Sequence, residues 1–193
     1  FDFNKDELKE KLIQKLEEFE PRFTSFVEFT KERFTDFDAV IATGSNNAAR
    51  YFEYYFSKVP NLIRSNRNGV AILDGNETQE ELQALASDIV QYFGLGCRST
   101  SKIFVPKDYD LNLIFGALYP YASLMDSAKY ANNYDYNKAV YLMSLFDLLD
   151  NGFFMLKEDA SYTSPVACLH YEYYEDAQML EKKLIEDQDL IQC

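Results

Sequence analysis

The sequence predicts an α/β protein with a largely parallel or mixed sheet. Three observations carry this. Short apolar runs of strand length alternate with amphipathic, helix-period stretches from residue 38 onward. The first such run, DAVIAT (38–43), ends at Gly44–Ser45 and passes into NNAARYFEYYF, the strand–turn–helix order of half a nucleotide-binding unit. And 47% of the 193 residues are hydrophobic, ample for one or two lobes with a real core.

The elements follow in order. Residues 5–33 place Leu8, Leu12, Leu16, Phe19, Phe23 and Phe26 near helical spacing among Lys and Glu, and Pro21 divides that stretch into two helices. After the helix that begins near Asn46, NLIRSN (61–66) and GVAILDG (69–75) read as a pair of strands. Thr78-Gln-Glu-Glu81 is a capping box, in which hydroxyl and carboxylate each satisfy the other residue's backbone amide. It opens a helix with Leu82, Leu85, Ala86, Ile89 and Phe93 facing inward, which delivers the chain to Gly94-Leu-Gly96-Cys97. KIFVP then reads as a strand, DLNLIFGAL (110–118) and NYDYNKAVYLMSLF (133–146) as helices, and GFFMLKED and PVACLHYEYY as strands. A last amphipathic helix covers about 175–187 and DLIQC reads as a strand being entered. With Phe at position 1 and that open end, the sequence reads as a fragment or a processed product.

Charge and composition exclude several functions. A net charge of −13 repels a nucleic-acid backbone. The 15 tyrosines and 16 phenylalanines therefore read as packing, not as a base-stacking platform. No apolar stretch approaches the roughly 18–20 residues of a membrane span, and FDFNKDELKE is no signal peptide. Cys97, Cys168 and Cys193 are odd in number and far apart, with His170 the single histidine. That suits neither a zinc site nor a disulfide framework, and it places the protein in a reducing cytoplasm.

The stretch with chemical promise is YFGLGCRSTSKIFVP (92–106). Gly94 and Gly96 permit positive φ and leave room for a carbonyl to approach the Cys97 sulfur. Backbone amides at the bend, with Arg98 and Lys102, would favour negative charge on that sulfur, and the amide of Cys97 could face a developing oxyanion. The other reading of Cys97 is a buried structural thiol, the ordinary fate of a free cysteine. Cys168, in an apolar strand, reads as core, and His170 reads as structural, with Glu172 on its strand face. YANNYDYNKA (130–139) fits either a substrate-contacting loop or the polar start of a helix. Gly44–Ser45 precedes a helix N-terminus that suits a phosphate, although one glycine is not the dinucleotide fingerprint.

In order, DFDAVIATGSNNAARYFEYYF, NLIRSNRNGVAILDG, YFGLGCRSTSKIFVP, KYANNYDYNKA and LHYEYYED resemble the LuxC-like acyl-CoA reductases, a branch of the aldehyde dehydrogenase superfamily. The resemblance spans nearly the whole chain, and Gly-Leu-Gly-Cys-Arg-Ser is its most specific element. It implies a three-layer aldehyde-dehydrogenase-like catalytic domain at 76–193, C-terminally incomplete, and a partial Rossmann-like cofactor domain at 1–75. Cys97 would attack a fatty acyl-CoA, expel CoA and hold the acyl group as a thioester. Hydride from NADPH or NADH would reduce it to a thiohemiacetal that collapses to the aldehyde, with the dinucleotide near Gly44 and Ser45. Arg98, Lys102 and Arg64 become candidate substrate-binding residues, and a homo-oligomer is implied. The alternative role is a non-reducing module that accepts or transfers acyl groups.

Two departures from the superfamily matter. Hydrolytic aldehyde dehydrogenases carry a glutamate upstream of the nucleophile that activates water. The corresponding stretch here is NLIRSNRNG, with Arg64 at or beside that place and Ile63 or Ser65 the neighbouring choices. None is a base, so the acyl-enzyme should resist water. The superfamily's oxyanion-completing asparagine lies upstream of the Gly-Ser turn, and its later Glu-Phe-Gly-Pro motif is replaced by Tyr162-Thr-Ser-Pro165. The chain by itself is therefore expected to be weakly active or inactive.

Overall fold

A computed structural model describes residues 5–28, 30, 35–44 and 46–193. Helix α1 (Lys5–Phe19) ends before Pro21, whose ring cannot continue it, and a short 3-10 turn, Pro21–Ser25, starts there. Its apolar positions Leu12, Leu16 and Phe19 are exposed. Strand β1 (Val40–Thr43), helix α2 (Asn46–Phe56) and strand β2 (Asn61–Arg64) make one βαβ unit, the two strands paired in parallel. The predicted strand, turn and helix are thus present, with the strand in a two-stranded sheet.

Strand β3 (Gly69–Ile72) belongs elsewhere. It pairs with β4 (Thr100–Pro106) and opens a five-stranded sheet in the order β3-β4-β7-β6-β5, where β5 is Leu148–Asp150, β6 Met155–Glu158 and β7 Cys168–Tyr174. All neighbours run parallel except the β5–β6 edge pair. NLIRSN and GVAILDG are therefore not partners, and the sheets divide between Arg64 and Gly69, before the boundary expected after 75. The physical reason is local. A side chain at Gly69 would meet the Ser99 carbonyl at 2.6 Å, so β3 starts pressed against the backbone that leads into β4. The chain end, read as a strand being entered, forms a 3-10 turn (Gln188–Leu190) and a single bridge from Ile191 to Asn68; beside β3 the Val70 amide donates to Cys193 O and the Gln192 amide to Asn68 O.

Helices cover both faces. On one, Ile103 and Val105 of β4 pack with Leu82, Ala86 and Ile89 of α3 (Gln79–Val90) and with Ile114 and Leu118 of α4 (Asn112–Leu118). On the other, Met155 and Cys168 meet Tyr130 and Tyr134 of α5 (Ala128–Met143), and Phe104 meets Leu180 of α6 (Ala177–Glu186). Residues 103–105 are 0% exposed, as expected of a central parallel strand covered on both sides. The capping box at Thr78 and Glu81 is made in both directions. YANNYDYNKA lies within α5, where Tyr130 and Tyr134 bury their rings and Asn137 donates to Val166 O, so its helical reading holds.

Candidate active site

Cys97 sits where α3 gives way to β4. The helix ends at Val90, and Tyr92, Phe93 and Gly94 then take left-handed backbone angles in succession, with φ of 54°, 59° and 73°. For Tyr and Phe that conformation costs about 1–2 kcal/mol each. Phe93 recovers contact by turning onto Tyr130, with ring centroids 5.6 Å apart, which is why it leaves the helix face predicted for it. Strain gathered just before a candidate nucleophile is the pattern of a site held in shape by its surroundings. A tight turn then closes over Cys97 and Arg98, the Ser99 amide donating to Gly96 O at 2.9 Å. At Gly96 a Cβ would come within 2.9 Å of Ser99 Oγ, so a side chain there would make the Ser99 hydroxyl move. The result is an exposed thiol, which removes the buried-thiol reading of Cys97.

The thiol borders a cleft of about 640 Å³. Thr43 and Gly44 enter it from the carboxyl end of β1, Arg64 and Ser65 from that of β2, and Asn68 from the link to β3. Ligands of open α/β sheets bind at such strand ends. Thr163 and Ser164 form another part of the wall. Among the described residues that line the cleft, two are arginines, Arg64 and Arg67, and none is acidic, although the chain carries 32 acidic residues. Arg98 is exposed and faces a second cleft of about 470 Å³ on the other side of Cys97, together with Asp88 and Cys193.

At the β1–α2 turn, strand and helix come close together at Gly44. A Cβ on Gly44 would lie 2.8 Å from Ala48 Cβ, so only glycine lets the helix start this close to the strand. The Gly44 amide donates to Arg64 O at 3.1 Å, tying the turn to the end of β2. Ser45, the other residue expected at the cofactor, lies outside the described residues.

Lys102 requires a correction. Expected near the substrate, it is fully buried on the opposite side of its strand environment, with Nζ donating to Glu172 Oε2 at 2.7 Å and to Asp159 O. An ammonium so committed is unavailable to Cys97 or to a CoA phosphate. Cys168 is buried, and burial pushes its thiol up to about 12, so it stays protonated and unreactive. His170 is not among the cleft-lining residues. Its Nδ1 lies 3.0 Å from Ser161 O, which can only accept, so that nitrogen carries the proton; Nε2 faces Tyr141 OH at 3.4 Å. Sequence reading missed the wall at Thr163 and Ser164. Its one signal was that Tyr162–Pro165 stands near the place where the resemblance would put a Glu-Phe-Gly-Pro motif.

Burial holds the His170 imidazole below its ordinary value of 6.5, with the Ser161 carbonyl and Asp159 pulling the other way and Lys157 and Lys102 adding to burial. The unfolded chain takes up a proton near that value while the folded chain resists it, so stability present above it is lost as pH falls. The expected outcome is a urea midpoint that declines from pH 7 to pH 5, with a shallower decline in His170→Asn.

No protein-family model and no curated protein sequence matches the chain. Solved structures do. An indole-3-acetaldehyde dehydrogenase in complex with NAD+ superposes with a TM-score of 0.58 at 15% identity, over 77% of this chain and 38% of the other. The aldehyde dehydrogenase KauB from Pseudomonas aeruginosa gives 0.56 at 15% identity, over 77% and 38%. A Mycobacterium tuberculosis aldehyde dehydrogenase complexed with NAD+ gives 0.50 at 15%, over 73% and 37%. The chain therefore has an aldehyde-dehydrogenase-like α/β fold and spans less than two-fifths of the length of these structures. Among the described residues no helix is long and apolar enough to cross a membrane.

Proposed function

We propose that Cys97 is an acyl-accepting nucleophile and that this chain is the thiol-bearing part of an NAD(P)H-dependent fatty acyl-CoA reductase. The observation that carries the reading is an exposed thiol on a glycine-built bend, at the mouth of a cleft formed by the carboxyl ends of a βαβ unit. The sulfur attacks the thioester carbonyl, the carbon–sulfur bond to CoA breaks, and CoA leaves with the proton of the Cys97 thiol. Arg64 and Arg67 supply positive charge for an anionic carrier in an otherwise acidic protein.

The neighbours solved with NAD+ support use of a nicotinamide dinucleotide, and on this reading it lies at the β1–α2 turn, where Gly44 and Ser45 would hold it. When bound, NADPH or NADH supplies the hydride that releases the acyl group as aldehyde. We assign β1, α2 and β2 to the cofactor-binding part and β3 onward to the part that bears the thiol. Arg64 and Ser65 sit on the cleft wall and neither is a base, which favours hydride over water as the acyl acceptor. The whole enzyme's turnover belongs to a longer architecture than these residues, and the isolated chain is expected to reduce acyl groups weakly.

The test is intact-protein mass spectrometry after mixing with octanoyl-CoA. The expected result is one octanoyl adduct that is lost, slowly, on adding NADPH or NADH, with octanal released. An adduct unaffected by either reductant would support the acyl-transferring role instead. No adduct would overturn both.

A further inference from the structure

The residues of loop 159–164 that do not touch the Cys97 cleft are held by side chains from the neighbouring strands. Lys102 Nζ donates to Asp159 O, His170 Nδ1 to Ser161 O at 3.0 Å, and Ser101 Oγ to Tyr162 O at 2.8 Å. Lys102 is 0% exposed, His170 3% and Ser101 9%. Lys102 and His170 are register partners on β4 and β7, so their side chains leave the same face of the sheet. The loop then runs on to Thr163 and Ser164 in the cleft wall, and Thr163 Oγ1 donates to Asn68 Oδ1 at 2.9 Å across the cleft edge. Three carbonyls of one short loop, each taken by a buried donor, are far more restraint than a surface connection needs. Loss of one such bond leaves a desolvated carbonyl unpaired.

We propose that Lys102 and His170, with Ser101, are positioning residues: they fix loop 159–164 as the wall that turns a bound acyl thioester toward Cys97. The inference rests on the acyl-accepting reading of Cys97. His170 reaches the cleft only through the loop, so it acts on geometry and not on the sulfur. Misplacing a wall by about 1 Å can cost up to 100-fold in a reaction that depends on orientation. A small reagent that needs no such wall is indifferent to it.

The experiment compares His170→Leu, which removes the donor, with His170→Asn, whose side-chain amide restores one near the Nδ1 position. Three quantities are read: acylation rate at saturating octanoyl-CoA, alkylation of Cys97 by iodoacetamide, and hydrogen exchange of amides 159–164. In His170→Leu, acylation is expected to fall about tenfold and the loop to exchange faster, while alkylation stays within twofold. His170→Asn is expected to recover most of the acylation. Should His170→Leu fail to fold, His170→Phe, a ring of similar volume without the donor, replaces it, with the same expected drop and the same acceleration of loop exchange. Wild-type acylation in the folded donor-deleted variant overturns the inference alone, whether or not the loop loosens. A wild-type chain that takes no octanoyl group overturns the function reading first, and the inference falls with it.

Discussion

Cys97→Ser is expected to lose the octanoyl adduct completely, while Cys168→Ser keeps it at the wild-type level. The contrast follows from where the two sulfurs lie. Cys97 is exposed at the cleft, beyond a bend in which Gly94 takes a positive φ of 73°. Cys168 is packed with Tyr130, Tyr134 and Met155, and burial holds its thiol in the protonated form. A serine hydroxyl at 97 occupies the same place yet remains un-ionised at neutral pH and is a far weaker nucleophile than a thiol, so it is not expected to displace CoA. The measurement is the fraction of adduct after a fixed incubation. Equal adduct in wild type and Cys97→Ser would remove the nucleophile from the mechanism.

Arg64→Glu is expected to convert a long-lived acyl thioester into one that hydrolyses. Arg64 is at the carboxyl end of β2, its side chain exposed along the cleft, and no acidic residue is present among the described lining residues. A carboxylate introduced there could draw a proton from water beside the thioester. Positioned general bases contribute about 100- to 10,000-fold, and an unoptimised one should still shorten the adduct's half-life by about tenfold or more. Arg64→Gln serves as control, because it removes the cation without adding a base and should leave the lifetime near that of the wild type. A lifetime unchanged in Arg64→Glu, or shortened equally in both variants, would show that absence of a base at this place is not what protects the acyl group.

Much of the fold was legible because its signals are local. DAVIAT, Gly44 and the helix after it follow one another in sequence and form one βαβ unit, and Thr78–Glu81 carries its cap within a single turn. The alternation of apolar runs sufficed for the parallel sheet. Less legible was which strand pairs with which. NLIRSN and GVAILDG are adjacent in sequence and extended alike, and only the contact of Gly69 with the Ser99 backbone sends the second to a different sheet.

The site divides in the same way. Cys97, Gly44 and Arg64 could be picked out because glycine punctuation or the family resemblance marks them. Lys102 misled, since a lysine in a polar run after the thiol looks like surface. Its burial depends on Glu172 and Asp159, which are distant in sequence and reach it through strand register and the loop beyond β6. Thr163 and Ser164 carry little signal for the same reason: they line the cleft, while Ser101 on β4 and His170 on β7, distant in sequence, bond the carbonyls just before them.

The most direct measurement is peptide mapping by tandem mass spectrometry of the octanoyl-treated chain, reading which residue bears the added mass. The expected result is the acyl group on the sulfur of Cys97, with Cys168 and Cys193 unmodified. Acylation found on either of those two, or at no cysteine at all, would contradict the assignment of Cys97 as the acyl acceptor.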